Sequence, residues 1–475
     1  MKKYILYLLS SFLIIIGCTD ESYENLNRDP NNPTAVSSGS LFTSATKALV
    51  DQMVTPNYNS NPYRYYAQYW AATTYPDESN YDMNQRNIPS NFWTQLYTNV
   101  LYDLKDAKTV VAEEAQGAEM TNKQAMIEVL EVYTWQNLVD AFGNIPYTEA
   151  LKGAEVPSPV YDDAKTIYTD LFKRIDLAIA GLNAGAPGYS DADVLYQGDI
   201  AKWKKFANSV KLKLAMRIAD ADNTTAKSNA EAAFAGGVFT SNADNADITY
   251  APATPNPIWV NLIQSGRNDN VAANTLVDYM NTLSDPRRPI YFQENLGADT
   301  YKGGIYGSGN AYAAFSHAGD LVVDPSFKGV LMDYAEVNFM LAQAAAMGYA
   351  VGGTADAYYT KGITASLQDW GVSAADITTY LANPLVAYST ATGNWRQKIG
   401  FQYWLALYNR GFEGWTVYRQ FDAPKLNIAA ASKLPVPTRL TYPIPEQNMN
   451  KLNWEAASSA IGGDKQQTKL FWDKF

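Results

Sequence analysis

Apolar residues recur at helical spacing through most of this chain, and the pattern lapses in one long stretch, from Phe239 to Pro325. Within Thr121 to Phe142, the residues Leu130, Tyr133, Thr134, Leu138, Ala141 and Phe142 share one face, and Gly143 stops the run. Val337, Met340, Leu341, Ala344, Ala345 and Gly348 form a second stripe, of small residues that let a neighbour pack close. Further helices are expected over Asn91 to Ala115, Asp162 to Leu182, Ile200 to Ala221, Ala355 to Trp370, and Trp395 to Arg419 with a break near Gly411. They pair as hairpins across short Gly-rich or polar turns. Trp203, Phe206, Ala207 and Val210 repeat once the spacing of a tetratricopeptide helix. The fold expected is mostly α, a tetratricopeptide-like scaffold of stacked helical hairpins with a right-handed course. A length of 475 residues would allow three average domains, but an array of this kind runs on as a single body, here 35–475.

The block at about 239–325 is different in kind. Pro252, Pro255, Pro257, Gly266, Asp285-Pro286, Gly303-Gly304, Gly307 and Gly309 break any helix there, leaving room for one short helix at Ala272 to Leu283 and short strands such as Ile290 to Gln293. Long irregular stretches in compact proteins tend to carry function. The chain from Ala423 onward, with Pro435, Pro437, Pro443 and Pro445, also reads as loops.

At the start, Lys2 and Lys3 precede an apolar run from Tyr4 to Ile16 that Gly17-Cys18 closes. The run is shorter than the ~20 residues a mature spanning helix needs and suits the apolar core of a secretory signal. Ile15-Ile16-Gly17-Cys18 has the form of a bacterial lipobox: the small residue admits the signal peptidase, and the Cys18 thiol takes a diacylglyceryl group. Residues 1–17 are then a signal peptide, 18–34 a lipidated tether rich in Asn, Asp and Pro, and Cys18 carries diacylglycerol and palmitate. Two or more acyl chains are what stable attachment requires.

Composition excludes several chemistries. The net charge of −11 argues against nucleic acid, which is held by Lys and Arg neutralising phosphate. One Cys makes no intrachain disulfide, and one His with one Cys builds no His/Cys zinc site. A Ser-His-Asp or Cys-His unit would need His317, which stands in a Gly/Ala-rich loop with no nucleophile signature and reads as a solvated loop residue. No phosphate-cradling glycine motif opens a helix. No cofactor or metal is expected. A calcium ion held by loop carbonyls stays open, because hard cations take oxygen ligands from any loop. Asp285-Pro286-Arg287 reads as a turn held by its arginine.

The positive signal is aromatic: 13% of residues, with 34 Tyr against 17 Phe. Tyr58 to Tyr81 is crowded with rings interleaved with polar groups, of which Tyr63 to Trp70 read as a helix packing into the core. The candidate ligand-binding residues are the loop rings Tyr75, Tyr81, Trp259, Tyr301, Tyr306 and Tyr312. Flat rings stack on the C–H faces of sugars while nearby polar groups meet hydroxyls.

In order along the chain, several segments resemble one family. The tether Asn27-Arg28-Asp29-Pro30-Asn31 is similar to its start. Phe142-Gly143-Asn144-Ile145-Pro146, then Gly198-Asp199 with Trp203, Phe206, Ala207, Asn208 and Arg217, then Asn256-Pro257-Ile258-Trp259, Asp285-Pro286-Arg287 and Ala335 to Ala342 continue the resemblance. Tyr442-Pro443 with Pro445-Glu446, Asn450 and Asn453, and Leu470-Phe471-Trp472-Asp473, complete it. The chain resembles the SusD/RagB nutrient-binding outer-membrane lipoproteins. One departure is Gln343, where the family usually has Glu, which weakens a helix-end contact if the acid is what makes it.

The resemblance implies a helical scaffold with an irregular ligand-binding half, anchorage facing outward on an outer membrane, and a SusC-like TonB-dependent transporter as partner. Asp20-Glu21 after Cys18 is similar to the export signal of such proteins. It implies no ligand-contacting residues, which follow no motif. The function expected is non-catalytic capture of an oligosaccharide, or less favourably a peptide, for delivery to that transporter. Two rival readings are a surface glycoside hydrolase on a helical frame, which would need two suitably spaced carboxylates, and an adhesin or assembly scaffold with no small ligand.

Overall fold

The computed structural model describes residues 36–475; Cys18, the signal segment and the whole tether lie outside the described residues. The chain is mostly helical, as expected. It opens with α1 (Ser38–Val54), a single turn α2 (Tyr63–Tyr66) and strand β1 (Trp70–Ala72). α3 (Ile88–Leu96) runs through a wide turn at Tyr97–Leu101 into α4 (Tyr102–Glu114). The hairpins α5 (Gly117–Phe142) with α6 (Ala164–Gly181), and α7 (Ile200–Arg217) with α8 (Asn223–Gly236), follow. Then come β2 (Ala246–Ile248), β3 (Asn270–Ala272), α9 (Asn274–Leu283) and β4 (Gly329–Met332). α10 (Tyr334–Ala346) and α11 (Ala355–Asp369) make a third hairpin, and α12 (Ala374–Ala382), α13 (Trp395–Ala406) and α14 (Gly411–Phe421) cover it. Two short helices, α15 (Ile444–Met449) and α16 (Lys451–Ala460), close the chain. Neighbours pack in the order α1, α4, α5, α6, α7, α8, and the third hairpin leans α10 against α7. Among the described residues no helix is long and apolar enough to cross a membrane.

Helix starts follow from local chemistry. Ser37, Asp163, Asp199, Asp333 and Asn394 each accept a backbone N–H of the first turn through the side chain. The Gly198-Asp199 pair is explained this way. Asp199 caps α7, and Gly198 must be glycine because its φ is +84° and a Cβ would lie 2.7 Å from the Tyr189 carbonyl. Asp193 then accepts from the Gly198 N–H at 2.8 Å and from the Trp203 indole at 2.7 Å, which seats the largest ring of α7 in the core.

α5 is the central helix, buried at every residue from Val129 to Phe142. Burial all round brings charges with it, and these form a network. Arg217 of α7 donates to Asp140 of α5 at 2.9 Å and to Glu413 of α14 at 2.7 Å. Lys213 meets Glu413 at 2.5 Å and Glu336 of α10 at 3.3 Å, and Arg410 meets Glu336 at 2.6 Å. Burial opposes the charge on Glu413, but Lys213 and Arg217 overcome it and bring its pKa down to about 2. Gln343 sits at the edge of this network. Its amide donates to the Met216 carbonyl at 3.4 Å near the end of α7 and accepts from Gln420 at 3.2 Å. The amide itself therefore makes a helix-end contact, so the departure from the family's acid leaves that end tied.

Three expectations need correction. Ile290 to Gln293 is no strand. Arg288–Tyr291 is a helical turn with Pro289 in its first positions, where proline's missing N–H costs nothing. The stretch after Ala423 holds α15 and α16, and Pro445 plays the same part at the start of α15. Pro257, read as a breaker, starts a helical turn at Pro257–Trp259, while the short strands expected in the irregular block are present as β2 and β3. Asp285 and Arg287 are a structural pair as expected. Both are fully buried, bonded at 2.9 and 2.6 Å, with the Tyr380 hydroxyl donating to Asp285 at 2.8 Å.

The Arg217→Leu variant leaves Asp140 buried without its cation, so it should lose about 3–5 kcal/mol in urea unfolding; a loss below about 1 kcal/mol would show the network to be dispensable. The C-terminal Asp473 gives a pH signature. Burial lifts its carboxyl to about 6, against the weaker pull of Arg419 and Lys469, and it is 4% exposed. Between the unfolded value near 4 and this value the native state holds the extra proton, so stability falls as pH rises through that window and stays lower above it. Asp473→Asn should therefore raise the Tm at pH 7.5 relative to the parent more than it does at pH 4. Equal shifts at both pH values would contradict the assignment.

Candidate ligand-binding cleft

Two distant segments meet to build the loop-rich half. β1 pairs antiparallel with β3, Trp70 opposite Ala272 and Ala72 opposite Asn270. Thr73 extends the contact, its N–H donating to the Asp269 carbonyl at 2.9 Å. The other edge of β3 is taken by two loops: the Ala272 N–H donates to the Ser316 carbonyl, and the Gly304 N–H to the Ala272 carbonyl, both at 2.8 Å. Gly303 permits this approach, because a Cβ there would lie 2.3 Å from the Asn274 Cα. Asn310 locks the arrangement, donating to the Ala72 carbonyl at 2.8 Å and accepting from the Ile305 N–H at 2.8 Å.

Beside this ladder lies a narrow cleft with a cavity volume of about 30 Å³. Its inner wall is the buried set Trp70, Asn270 and Val271. Leu262, Val323 and Ala318 stand half-buried beside them, Ile263 and Arg267 form an exposed rim, and Gln293, Tyr312 and His317 complete the enclosure. Asn270 is fixed by two tyrosines, accepting from the Tyr65 hydroxyl at 2.5 Å and donating to that of Tyr58 at 2.9 Å. Burial pushes both phenols well above their ordinary pKa, so they remain neutral hydrogen-bonding groups. Trp70 donates its indole N–H to the Tyr408 hydroxyl at 3.2 Å, and the Arg64 guanidinium lies 5.1 Å over its ring.

The outer wall is a stacked pair. The Tyr312 and His317 rings lie 3.7 Å apart at an interplanar angle of 12°. His317 Nδ1 is 3.2 Å from the Gln293 side-chain oxygen and Nε2 is 3.1 Å from the Tyr312 carbonyl. Gln293 is held in turn by donating to Asp320 at 2.7 Å. This corrects the picture of a solvated loop histidine: the ring is half-buried, and its contacts orient Tyr312.

The six candidate rings separate into two sets. Tyr75 is 47% exposed, with the Arg86 guanidinium 5.3 Å over one face, and Trp259 and Tyr312 are half-buried. Tyr75 follows Thr73 at the end of the ladder, Trp259 leads into the turn that carries Leu262 and Ile263, and Tyr312 is in the cleft wall. A water-facing role is corrected for Tyr81, Tyr301 and Tyr306, which are 2%, 6% and 1% exposed. Tyr81 packs edge-on against Tyr66 and lies 6.2 Å from Tyr306, while Tyr301 donates to Glu294 at 3.0 Å and packs on Phe292. They wedge loops onto the core. Sequence reasoning missed Arg267, Gln293, Asn270 and the part played by His317. Only the Tyr312-to-His317 spacing inside the irregular block hinted at the last. Among the described residues no group of three or more His, Cys, Asp or Glu side chains is placed to hold a metal ion.

Comparison with known proteins agrees with this architecture. A family model described as "Starch-binding associating with outer membrane" matches residues 30–443, and the chain belongs to this SusD-like family. A chitin-binding SusD homologue from Flavobacterium johnsoniae is similar in structure, with a TM-score of 0.77 and 27% identity over 92% of this chain and 97% of that one. A SusD homologue from Bacteroides uniformis gives 0.76 and 26% over 92% and 99%. A SusD-like protein from Bacteroides thetaiotaomicron gives 0.74 and 26% over 90% and 98%. No curated protein matches the sequence.

Proposed function

We propose that this protein is a non-catalytic, glycan-binding lipoprotein of the outer membrane, anchored through Cys18 and facing outward, which captures an oligosaccharide and passes it to a SusC-like TonB-dependent transporter. The observation that carries the reading is the cleft walled by Tyr312 and His317, in a chain whose family is described as starch-binding. The chitin-binding character of the Flavobacterium johnsoniae homologue favours a glycan over a peptide. Rings that are held in place before the ligand arrives stack on sugar faces without losing freedom on binding. The family model is described as starch-binding and the Flavobacterium johnsoniae homologue as chitin-binding, which supports holding the ligand without cleaving it. No cofactor enters this function.

Calorimetric titration of purified protein with a panel of oligosaccharides and peptides tests the reading. At least one glycan should bind, with no product formed. Tyr312→Ala should weaken that binding about ten-fold, ~1.4 kcal/mol, at an unchanged Tm. Turnover that disappears on replacing a single acid would instead favour the hydrolase, and heat from peptides alone would change the ligand class. Radiolabelled palmitate should mark the parent and not Cys18→Ala, which should leave the membrane fraction; a variant that stays labelled and membrane-bound would refute the anchor.

A further inference from the structure

We propose that the cleft beside β1 and β3 is a pocket for an acetyl group, so that the glycan bound is a 2-acetamido sugar; this rests on the glycan-binding function just proposed and adds which sugar substituent is read. The first argument is size. A cavity of about 30 Å³ holds roughly two water-sized groups at 10–15 Å³ each, the room required by the methyl and carbonyl oxygen of one acetyl. A pyranose ring cannot enter it and must remain outside, beside Tyr312.

The second argument is the polarity of the wall. Leu262, Val271, Val323 and Ala318 offer an apolar surface, where a methyl gains by leaving water and a hydroxyl loses its hydrogen bonds. The Asn270 oxygen already accepts from Tyr65, and the Gln293 oxygen faces His317 Nδ1. Donors stand free beside them. The Gln293 amide uses one hydrogen on Asp320 and keeps a second, and the exposed Arg267 guanidinium is only loosely paired with Asp269 at 3.6 Å. An acetamide carbonyl accepts and does not donate, so it fits this set. A hydroxymethyl group of similar bulk would set its hydroxyl against this apolar wall, where losing water costs more than it does for a methyl.

Chitotetraose and cellotetraose share a β-1,4 backbone and differ only in carrying acetamido or hydroxyl at carbon 2, so their titration into the purified protein isolates the acetyl. Chitotetraose should bind at least ten-fold more tightly. Ala318→Leu, which fills the pocket, should bring the two affinities together at an unchanged Tm, and Val323→Phe serves the same purpose if the first variant does not fold. Saturation-transfer NMR on the unaltered protein should show the acetyl methyl protons more strongly saturated than the ring protons. Equal affinity for the two tetrasaccharides, or binding of maltotetraose alone, would overturn the acetyl pocket and leave glycan binding standing. A ten-fold preference that survives both substitutions, or uniform saturation, would overturn the placement. If no glycan of any kind binds, the glycan function itself falls, and the pocket with it.

Discussion

The structure depends on the charges that the central helix cannot avoid burying. Asp140, Arg217, Glu413, Lys213, Glu336 and Arg410 belong to separate stretches of chain, and each acid finds a base from another helix. Such contacts add little net stability over an apolar core, because desolvation offsets the attraction. What they supply is registry: sliding α7 by one turn carries both Arg217 and Lys213 out of their places, so that either Asp140 or Glu336 loses its base on α7. Apolar stripes alone allow neighbouring registers of similar energy. This core lets three hairpins and the α13–α14 pair stack in a single arrangement, and the loop-rich half is hung from that arrangement.

Much of the scaffold was legible because helices are local. Capping residues and 3.6-residue spacing gave α5, α6, α7 and α11 to within a few residues, and the break at Gly411 separates α13 from α14. Errors arose where proline was counted only as a breaker. Pro257 and Pro445 each stand in the first turn of a helical segment, the one place where a proline initiates. α1 and α8 went unread: α1 buries polar Thr46 and Gln52 along with its apolar residues, and α8 contacts the body mainly through alanines, so neither announces itself by hydrophobic contrast.

The cleft was legible only in part, for a different reason. A tyrosine presents the same letter whether it packs in a core or faces water, and what decides is a partner far away in sequence. Tyr306 is buried because Tyr81, itself packed on Tyr66, meets it from a distant stretch of the sequence, while Tyr312 is left half-open because its neighbour on one face is His317. Neither partnership leaves a periodic trace. The polar wall was hidden for the same reason: Asn270, Gln293 and Arg267 belong to no motif and gain meaning only from the loops that gather them.

The short ladder between Trp70 and Ala272 has a consequence for how the molecule is assembled. Its partners are about 200 residues apart, so each must search through a long intervening chain, and closing that loop yields only a few hydrogen bonds in return. Contacts of this separation form late and slowly. The hairpins must shorten the search first by folding the intervening chain into compact form. The cleft is therefore a product of completed folding and not a motif that could be excised: a peptide cut from the irregular block alone would lack its indole wall and one strand of its ladder.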